Sequence, residues 1–317
     1  MNTYPSASIA LTGSTGFVGQ WVQKIVTSQP ELSNITVSNL LENDDGSRID
    51  IRDQENVRRR VGNLQPDAII HLAAVAAPRE ANKNPIFAWE VNVMGTLTLA
   101  HAILEKSPDT RLVFAGSAES YGNCFNKFKT PIREEASFDP NGTYGATKAA
   151  CDIMLGQLKH QGLMSVRFRP FNHTGPGQEP IYVASDFARQ IALIEKGQRA
   201  PELLVGNLSA KRDFMDVRDV ANAYIMAALN QTNSLPTSVA LNLSTGTGVS
   251  IEHILQSLLK ESDIDIAVKI DKSRLRANDI EFASGNPTLA KDLLGWQPKI
   301  SLSDTLNDLI NYWRANL

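Results

Sequence analysis

The chain has 317 residues, of which 42% are hydrophobic and 21% charged, enough for one large domain or two modest ones around a real core. A net charge of −3 lacks the basic excess of a nucleic-acid binder, and Cys124 and Cys151, without C-x-x-C spacing, offer neither a disulfide framework nor a metal site. The polar start, Met1–Ser8, carries no signal-peptide pattern and no apolar run nears the ~20 residues that cross a bilayer, so a cytoplasmic protein without membrane or nucleic-acid partners is expected.

Short apolar runs alternate with helical patterns through the first half, as in a parallel sheet wrapped by helices. Ser8–Leu11 reads as a strand that breaks at Thr12-Gly13, and Phe17–Ser28 as a helix. Ile35–Leu40 is the second strand, and Arg58-Arg59-Arg60 the solvated face of a short helix. Ala68–Ala73 reads as a buried strand, Ile86–Glu105 as a long helix, Arg111–Ala115 as a strand, Tyr144–His160 as a helix and Ser165–Arg169 as a strand. From Pro170 to Pro180 the chain turns to Pro, Gly, Asn and Gln, a loop of the kind that faces a substrate. Beyond it, helices are expected at Ser185–Lys196, Val220–Leu229, Ile251–Lys260 and Ser303–Asn316, with a strand at Ala240–Leu243.

Gly13, Gly16 and Gly19 stand in G-x-x-G-x-x-G spacing between the first strand and the first helix. In that setting the first glycine makes the tight turn, the second lets backbone approach a pyrophosphate, and the third packs helix on strand. Amides from Thr15 through Phe17 and Val18 would then face the phosphates at the positive end of the helix. The acidic residue that usually ends the second strand is replaced by Ser38 and Asn39. An amide bonds a ribose hydroxyl without repelling a 2′-phosphate, so the cofactor is NADP(H) or NAD(H), with a lean to NADP(H). The fold class is α/β: a Rossmann-type doubly wound parallel sheet with a smaller, discontinuous α/β C-terminal substrate lobe. Residues 1–169 plus about 216–248 would bind the dinucleotide, and about 170–215 plus 249–317 the substrate.

Tyr144 and Lys148 form a Y-x-x-x-K pair one helical turn apart on one face. A free phenol, with a pKa of ~10, is a poor partner for proton exchange near neutrality. A nearby ammonium and a nicotinium would favour its phenolate, and Lys148 can also bond the nicotinamide ribose. The pair recurs by chance, but Ser117 closes the strand Val113–Gly116 at the sheet crevice, where it could hold a substrate oxygen beside Tyr144.

Glycine loop, strand-end serine and Y-x-x-x-K, in that order, resemble the extended short-chain dehydrogenase/reductases. The resemblance runs from about residue 8 to 315 and implies an NAD(P)-dependent oxidoreductase. It implies that Asp50-Ile51 hold the adenine, that Leu72, Ala73 and Ala74 after His71 line the dinucleotide, and that His71 and Asn92 are structural. Arg169–Gln178 and Gly285-Asn286-Pro287-Thr288 resemble the nucleotide-sugar branch. Ser185–Ala188, Val205–Leu208, Arg212–Phe214 and Asp216–Val220 resemble its GDP-4-keto-6-deoxy-D-mannose reductases. By that resemblance Asn172, Arg212 and Arg276 contact the diphosphate and Asp279 the ribose of a GDP-linked deoxyhexose, although the family's Pro-x-Glu reads Ala277-Asn278-Asp279 here. Glu119, two residues after Ser117, also fits GDP-mannose 4,6-dehydratases, where such a glutamate serves as acid or base in water elimination. Thr174–Gly177 in place of that group's Glu-Ser-Pro tips the reading to a reductase, with the dehydratase and a non-catalytic dinucleotide sensor as alternatives. Helices 86–105 and 144–160 resemble those that pair in the family's homodimers.

Overall fold

Six short strands, most of them buried along nearly their whole length, build one parallel sheet: Ala7–Thr12 (β1), Ile35–Asn39 (β2), Ala68–His71 (β3), Arg111–Ala115 (β4), Ser165–Pro170 (β5) and Ser238–Leu243 (β6). A computed structural model describes residues 4–128, 130–230, 235–275 and 280–317. The strands lie in the order β6-β5-β4-β3-β1-β2, every neighbouring pair parallel. The winding reverses at β1, whose neighbours are β2 on one side and β3 on the other. The crevice beyond the carboxyl ends of β1 and β3 is therefore the topological switch point, where such sheets take their ligands.

Alternation divides the core between the two faces of the sheet. Ile9, Leu11, Ile70 and Val113 point to the face covered by Phe17–Ser28 (α1) and Val217–Ala228 (α6). Ala10, Ile69, Leu112 and Phe114 point to the face covered by Gln54–Leu64 (α2), Pro85–Lys106 (α3) and Thr143–Leu158 (α4). At 22 residues α3 is long and apolar enough to cross a membrane, but it packs on α2 and α4 with Leu99 and Ile103 fully buried. Within it Glu90–Met94 forms a π turn, in which the Gly95 amide bonds the Glu90 carbonyl.

A second hydrophobic core is built from Val183–Glu195 (α5), Ile251–Leu259 (α7) and Leu302–Ala315 (α8), around Phe187, Ile191, Leu255, Leu258 and Leu309. Short parallel pairings, Asn172–Thr174 with Phe214–Asp216 and Glu202–Val205 with Ala267–Ile270, close this part of the chain. The helix Thr288–Leu294 and Trp296 instead join the core on the α6 side of the sheet, where the Trp296 indole N–H bonds the Asp219 carbonyl at 2.9 Å. The chain after residue 249 is thus shared between the two cores. Helix starts are set by side chains that satisfy the orphan amides: Asp53 for α2, Asp216 for α6, Ser250 for α7 and Ser301 for α8.

Candidate active site

The glycine loop joins β1 to α1 as its spacing implies. Gly13 has φ +73°, and a Cβ on it would lie 2.8 Å from the Ala73 nitrogen. A Cβ on Gly19 would lie 2.3 Å from the Gly13 carbonyl oxygen, so only glycine allows α1 to pack this close. Thr15 and Gly16 are exposed, Phe17 and Val18 half-buried, and no side chain among the described residues caps α1 at Gly16. The uncapped amides and a backbone cradle with no room for Cβ atoms fit a dinucleotide pyrophosphate. Half-buried Leu72, Ala73 and Ala74 follow β3 beside this loop.

A chain of polar groups ties the loop to the helix bearing Tyr144. Thr12 Oγ1 accepts from the amides of Leu72 and Ala73 at 3.1 and 3.0 Å, which commits its own proton to His71 Nδ1 at 2.7 Å. His71 Nε2–H therefore donates to Thr96 Oγ1 at 2.9 Å, and Thr96 donates on to the Asn92 carbonyl. The Asn92 side chain holds the Val75 amide at 2.7 Å and donates to Thr147 Oγ1 at 3.0 Å, one turn from Tyr144. Burial pushes the His71 pKa down to about 3, with Lys148 adding to the shift, so the ring stays neutral. His71 is a fully satisfied structural histidine.

Ser117 follows β4 as the cap of a 3-10 turn, accepting from the Glu119 amide at 3.1 Å, and its hydroxyl lies close enough to Tyr144 to act on the phenol. Lys148, one turn along α4, is buried and donates to the Ala115 carbonyl at 2.6 Å. Its Nζ lies 5.9 Å from the Tyr144 ring centroid and 4.8 Å from that of Phe114. Burial pulls the Lys148 pKa down to about 8. The Y-x-x-x-K spacing implies that the ammonium, together with a bound nicotinium, lowers the phenol's pKa. In the protein without a dinucleotide, burial, and then Glu119, Tyr182 and Tyr224, raise Tyr144 well above 10, and the Ser117 hydroxyl opposes them. Tyr144 is accordingly protonated at neutral pH. Tyr182, just before α5, went unnoticed in the sequence; an aromatic residue in a Pro/Gly loop was the one available signal.

At the far end of the cradle, Asn39 donates from Nδ2 to Glu42 at 2.8 Å and accepts from the Leu41 amide. A carboxylate thus stands beside the residue expected at the adenosine ribose. Exposed Asp50 is held by Arg52, and buried Ile51 packs on Gly95 of α3. On the opposite side, exposed Asn172 pairs in register with Phe214. The Arg212 guanidinium donates to the Ile280 and Lys211 carbonyls at 2.6 and 2.9 Å. Buried Asp213 behind it gathers Thr245, Gly246 and Ser284 at 2.7–3.0 Å. Arg276 and Asp279 lie outside the described residues.

The GDP-mannose 4,6 dehydratase family model matches residues 11–309. The chain belongs to that family. Its relatives include the GDP-6-deoxy-D-mannose reductase of Pseudomonas aeruginosa, 28% identical over 309 residues and 97% of each chain. A UDP-glucose 4-epimerase of Rhizobium meliloti is 30% identical over 269 residues, 80% of this chain and 79% of the relative. Among solved structures, RMD from Pseudomonas aeruginosa complexed with NADPH matches with a TM-score of 0.86 at 26% identity, covering 98% of this chain and 100% of that one. The family sheet is the Rossmann-type parallel sheet expected from the sequence.

Proposed function

We propose that this family member reduces the C4 keto group of GDP-4-keto-6-deoxy-D-mannose with NADPH or NADH, giving GDP-D-rhamnose or its C4 epimer. The observation that carries this reading is the grouping of Ser117, Tyr144 and Lys148 at the end of β4, with Tyr144 beside Ser117 and Lys148 one turn along α4, its ammonium donating to the Ala115 carbonyl. The relationship to a GDP-6-deoxy-D-mannose reductase and to an NADPH-bound relative supports the substrate and cofactor. Gly13, Thr15, Gly16, Phe17, Val18 and Gly19 would hold the pyrophosphate, Asp50 and Ile51 the adenine, and Lys148 the nicotinamide ribose. When bound, the reduced nicotinamide supplies the hydride to C4. Ser117 orients the keto oxygen, and Tyr144 gives it a proton, so C=O becomes CH–OH. The Lys148 ammonium, present below about pH 8, stabilises the phenolate left behind, which regains its proton from water. Asn172, Arg212, Arg276 and Asp279 are the proposed contacts to the GDP moiety.

The Glu42 carboxylate beside Asn39 would repel a 2′-phosphate and accept from a 2′-hydroxyl, which supports use of NADH as well as NADPH. A homodimer through α3 and α4 is proposed because Ile86 is 73% exposed and Met94 50% on the first, and Ile153 63% on the second. A cytoplasmic location, away from membranes and nucleic acid, completes the proposal, as does a dinucleotide-binding part (1–169 plus about 216–248) separate from a substrate-binding part. The test is NADPH with GDP-4-keto-6-deoxy-mannose made in situ. Stoichiometric loss of nicotinamide absorbance and a new GDP-deoxyhexose are expected.

A second reading, GDP-mannose 4,6-dehydratase, is favoured by Glu119, whose charge acts on Tyr144. Conversion of GDP-mannose alone, without NADPH consumption, would establish it. Tight dinucleotide binding with no turnover of any nucleotide sugar would point instead to a sensor.

A further inference from the structure

Helix α1 leaves the glycine loop and meets the Asn172–Gln178 loop at two points. The Trp21 indole N–H donates to the Pro176 carbonyl at 3.0 Å, across 155 residues of sequence. One turn earlier, at the first residue of α1, the Phe17 ring lies parallel to the His173 imidazole, 2° apart with centroids 6.3 Å apart. The imidazole is fixed by Nδ1–H donating to the Phe171 carbonyl at 3.0 Å. Trp21 is itself clamped: the Arg218 guanidinium lies 5.7 Å over its ring and is held by Asp216 and Asp308, both at 2.7 Å.

The loop behaves as one body. Thr174 donates to Gln178 Oε1 at 2.6 Å, Gln178 Nε2 donates to the His173 carbonyl at 2.9 Å, and Ser185 of α5 donates to the Gln178 carbonyl at 2.6 Å. Restraint applied at Pro176 and His173 therefore reaches Asn172, at the start of the same short strand. The other end of the device is the first turn of α1, whose amides have no side-chain cap among the described residues. An anion bound there orders the turn that carries Phe17 and, one turn on, Trp21.

We propose that Trp21 is a positioning residue that couples the two sites: a dinucleotide on α1 orders the Asn172–Gln178 loop through Trp21–Pro176 and Phe17–His173, and so prepares it for the nucleoside diphosphate of the second substrate. The coupling is reciprocal, since ordering the loop by either ligand lowers the entropy cost for the other. It rests on the reading that the glycine loop takes a dinucleotide, and not on which sugar is reduced.

The test is hydrogen exchange across residues 172–178 with and without saturating NADPH, in the wild type and in Trp21→Phe, which removes the indole N–H and keeps an aromatic ring. NADPH should slow exchange about five-fold or more in the wild type, the low end of ordinary allosteric coupling, and less than about two-fold in a variant that NADPH still saturates. Equal protection in the two proteins, or none in the wild type, overturns the proposal. Should Trp21→Phe not fold, the wild type decides by titration: NADPH must tighten GDP, and GDP must tighten NADPH, by the same factor, and a factor of one in both overturns it. Protection of the loop in a protein that consumes no NADPH on the keto sugar leaves the coupling standing and removes only the proposed reaction.

Discussion

Lys148→Met should make the protein more stable while removing its activity. The ammonium is buried, with the Ala115 carbonyl and two aromatic faces as its surroundings. Lowering its pKa from 10.5 to about 8 corresponds to a cost of about 3 kcal/mol for the charged form in the folded state. Methionine keeps the length of the stem without the charge, and loses a hydrogen bond worth about 1 kcal/mol. The net gain at pH 7 is then about 2 kcal/mol, or roughly 3 °C in melting temperature for a chain of 317 residues. The sign follows from linkage. The folded pKa lies below the unfolded one, so the penalty is full below about pH 8 and is relieved as pH rises toward 10.5. The gap between variant and wild type should be constant from pH 6 to about 8, close by about pH 10 and reverse slightly above it, where only the lost hydrogen bond remains. Thermal unfolding of the dinucleotide-free proteins at pH 7 and pH 10 measures both quantities. A variant that melts below the wild type at pH 7, or a gap unchanged at pH 10, refutes the reasoning. Stability conceded at a position kept for chemistry is the expected trade at an active site.

Four further outcomes follow from the same contacts. Tyr144→Phe should abolish turnover yet leave NADPH binding within about two-fold, since the lost hydroxyl faces Ser117 and the substrate; retained turnover removes Tyr144 as proton donor. Acidification from pH 6.5 toward 3 should cost about 1.4 kcal/mol per pH unit through neutral His71, because the unfolded chain takes up the proton first; denaturant titrations at pH 7, 6 and 5 read that slope. Gly13→Ala should cost more than about 1 kcal/mol and abolish NADPH binding in calorimetry, because of its φ of +73° and the Ala73 backbone 2.8 Å from the new methyl group. Glu42→Gln should raise the preference for NADPH over NADH about ten-fold in kcat/KM, one unit charge beside a 2′-phosphate being worth about 1–2 kcal/mol at a surface; an unchanged ratio separates Glu42 from the ribose.

What the sequence disclosed was whatever repeats over a few residues. Phe17–Ser28 and Arg111–Ala115 have the bounds their apolar periods imply, and the glycine triplet and the Tyr144–Lys148 spacing are local patterns with one geometric solution each. The helix Thr288–Leu294 is too short for its period to register, and α6 starts three residues before its apolar pattern because the Asp216 carboxylate accepts from the Arg218 amide. The π turn at Glu90–Met94 has no periodic sign, and neither has the influence of Tyr182 on Tyr144.

The direction of the Tyr144 shift shows why chemistry is harder to read than fold. A lysine four residues away argues for a lowered phenol pKa, and in sequence that is the whole of the visible environment. Folding adds what the pattern lacks: a buried setting, a carboxylate at Glu119 and two more phenols, with the ammonium turned to the Ala115 carbonyl. Desolvation then outweighs the one neighbour that could be seen, and the group becomes a stored proton instead of a ready base. The same holds for Trp21 and Pro176. Each is ordinary in its own stretch of chain, and only the packing of α1 against a loop 155 residues away gives the indole N–H its partner. Reduction needs a proton at the keto oxygen as well as a hydride at its carbon; burial keeps the phenol protonated but makes it a weaker acid, so positive charge gathered around Tyr144 would have to offset that burial before the proton moves.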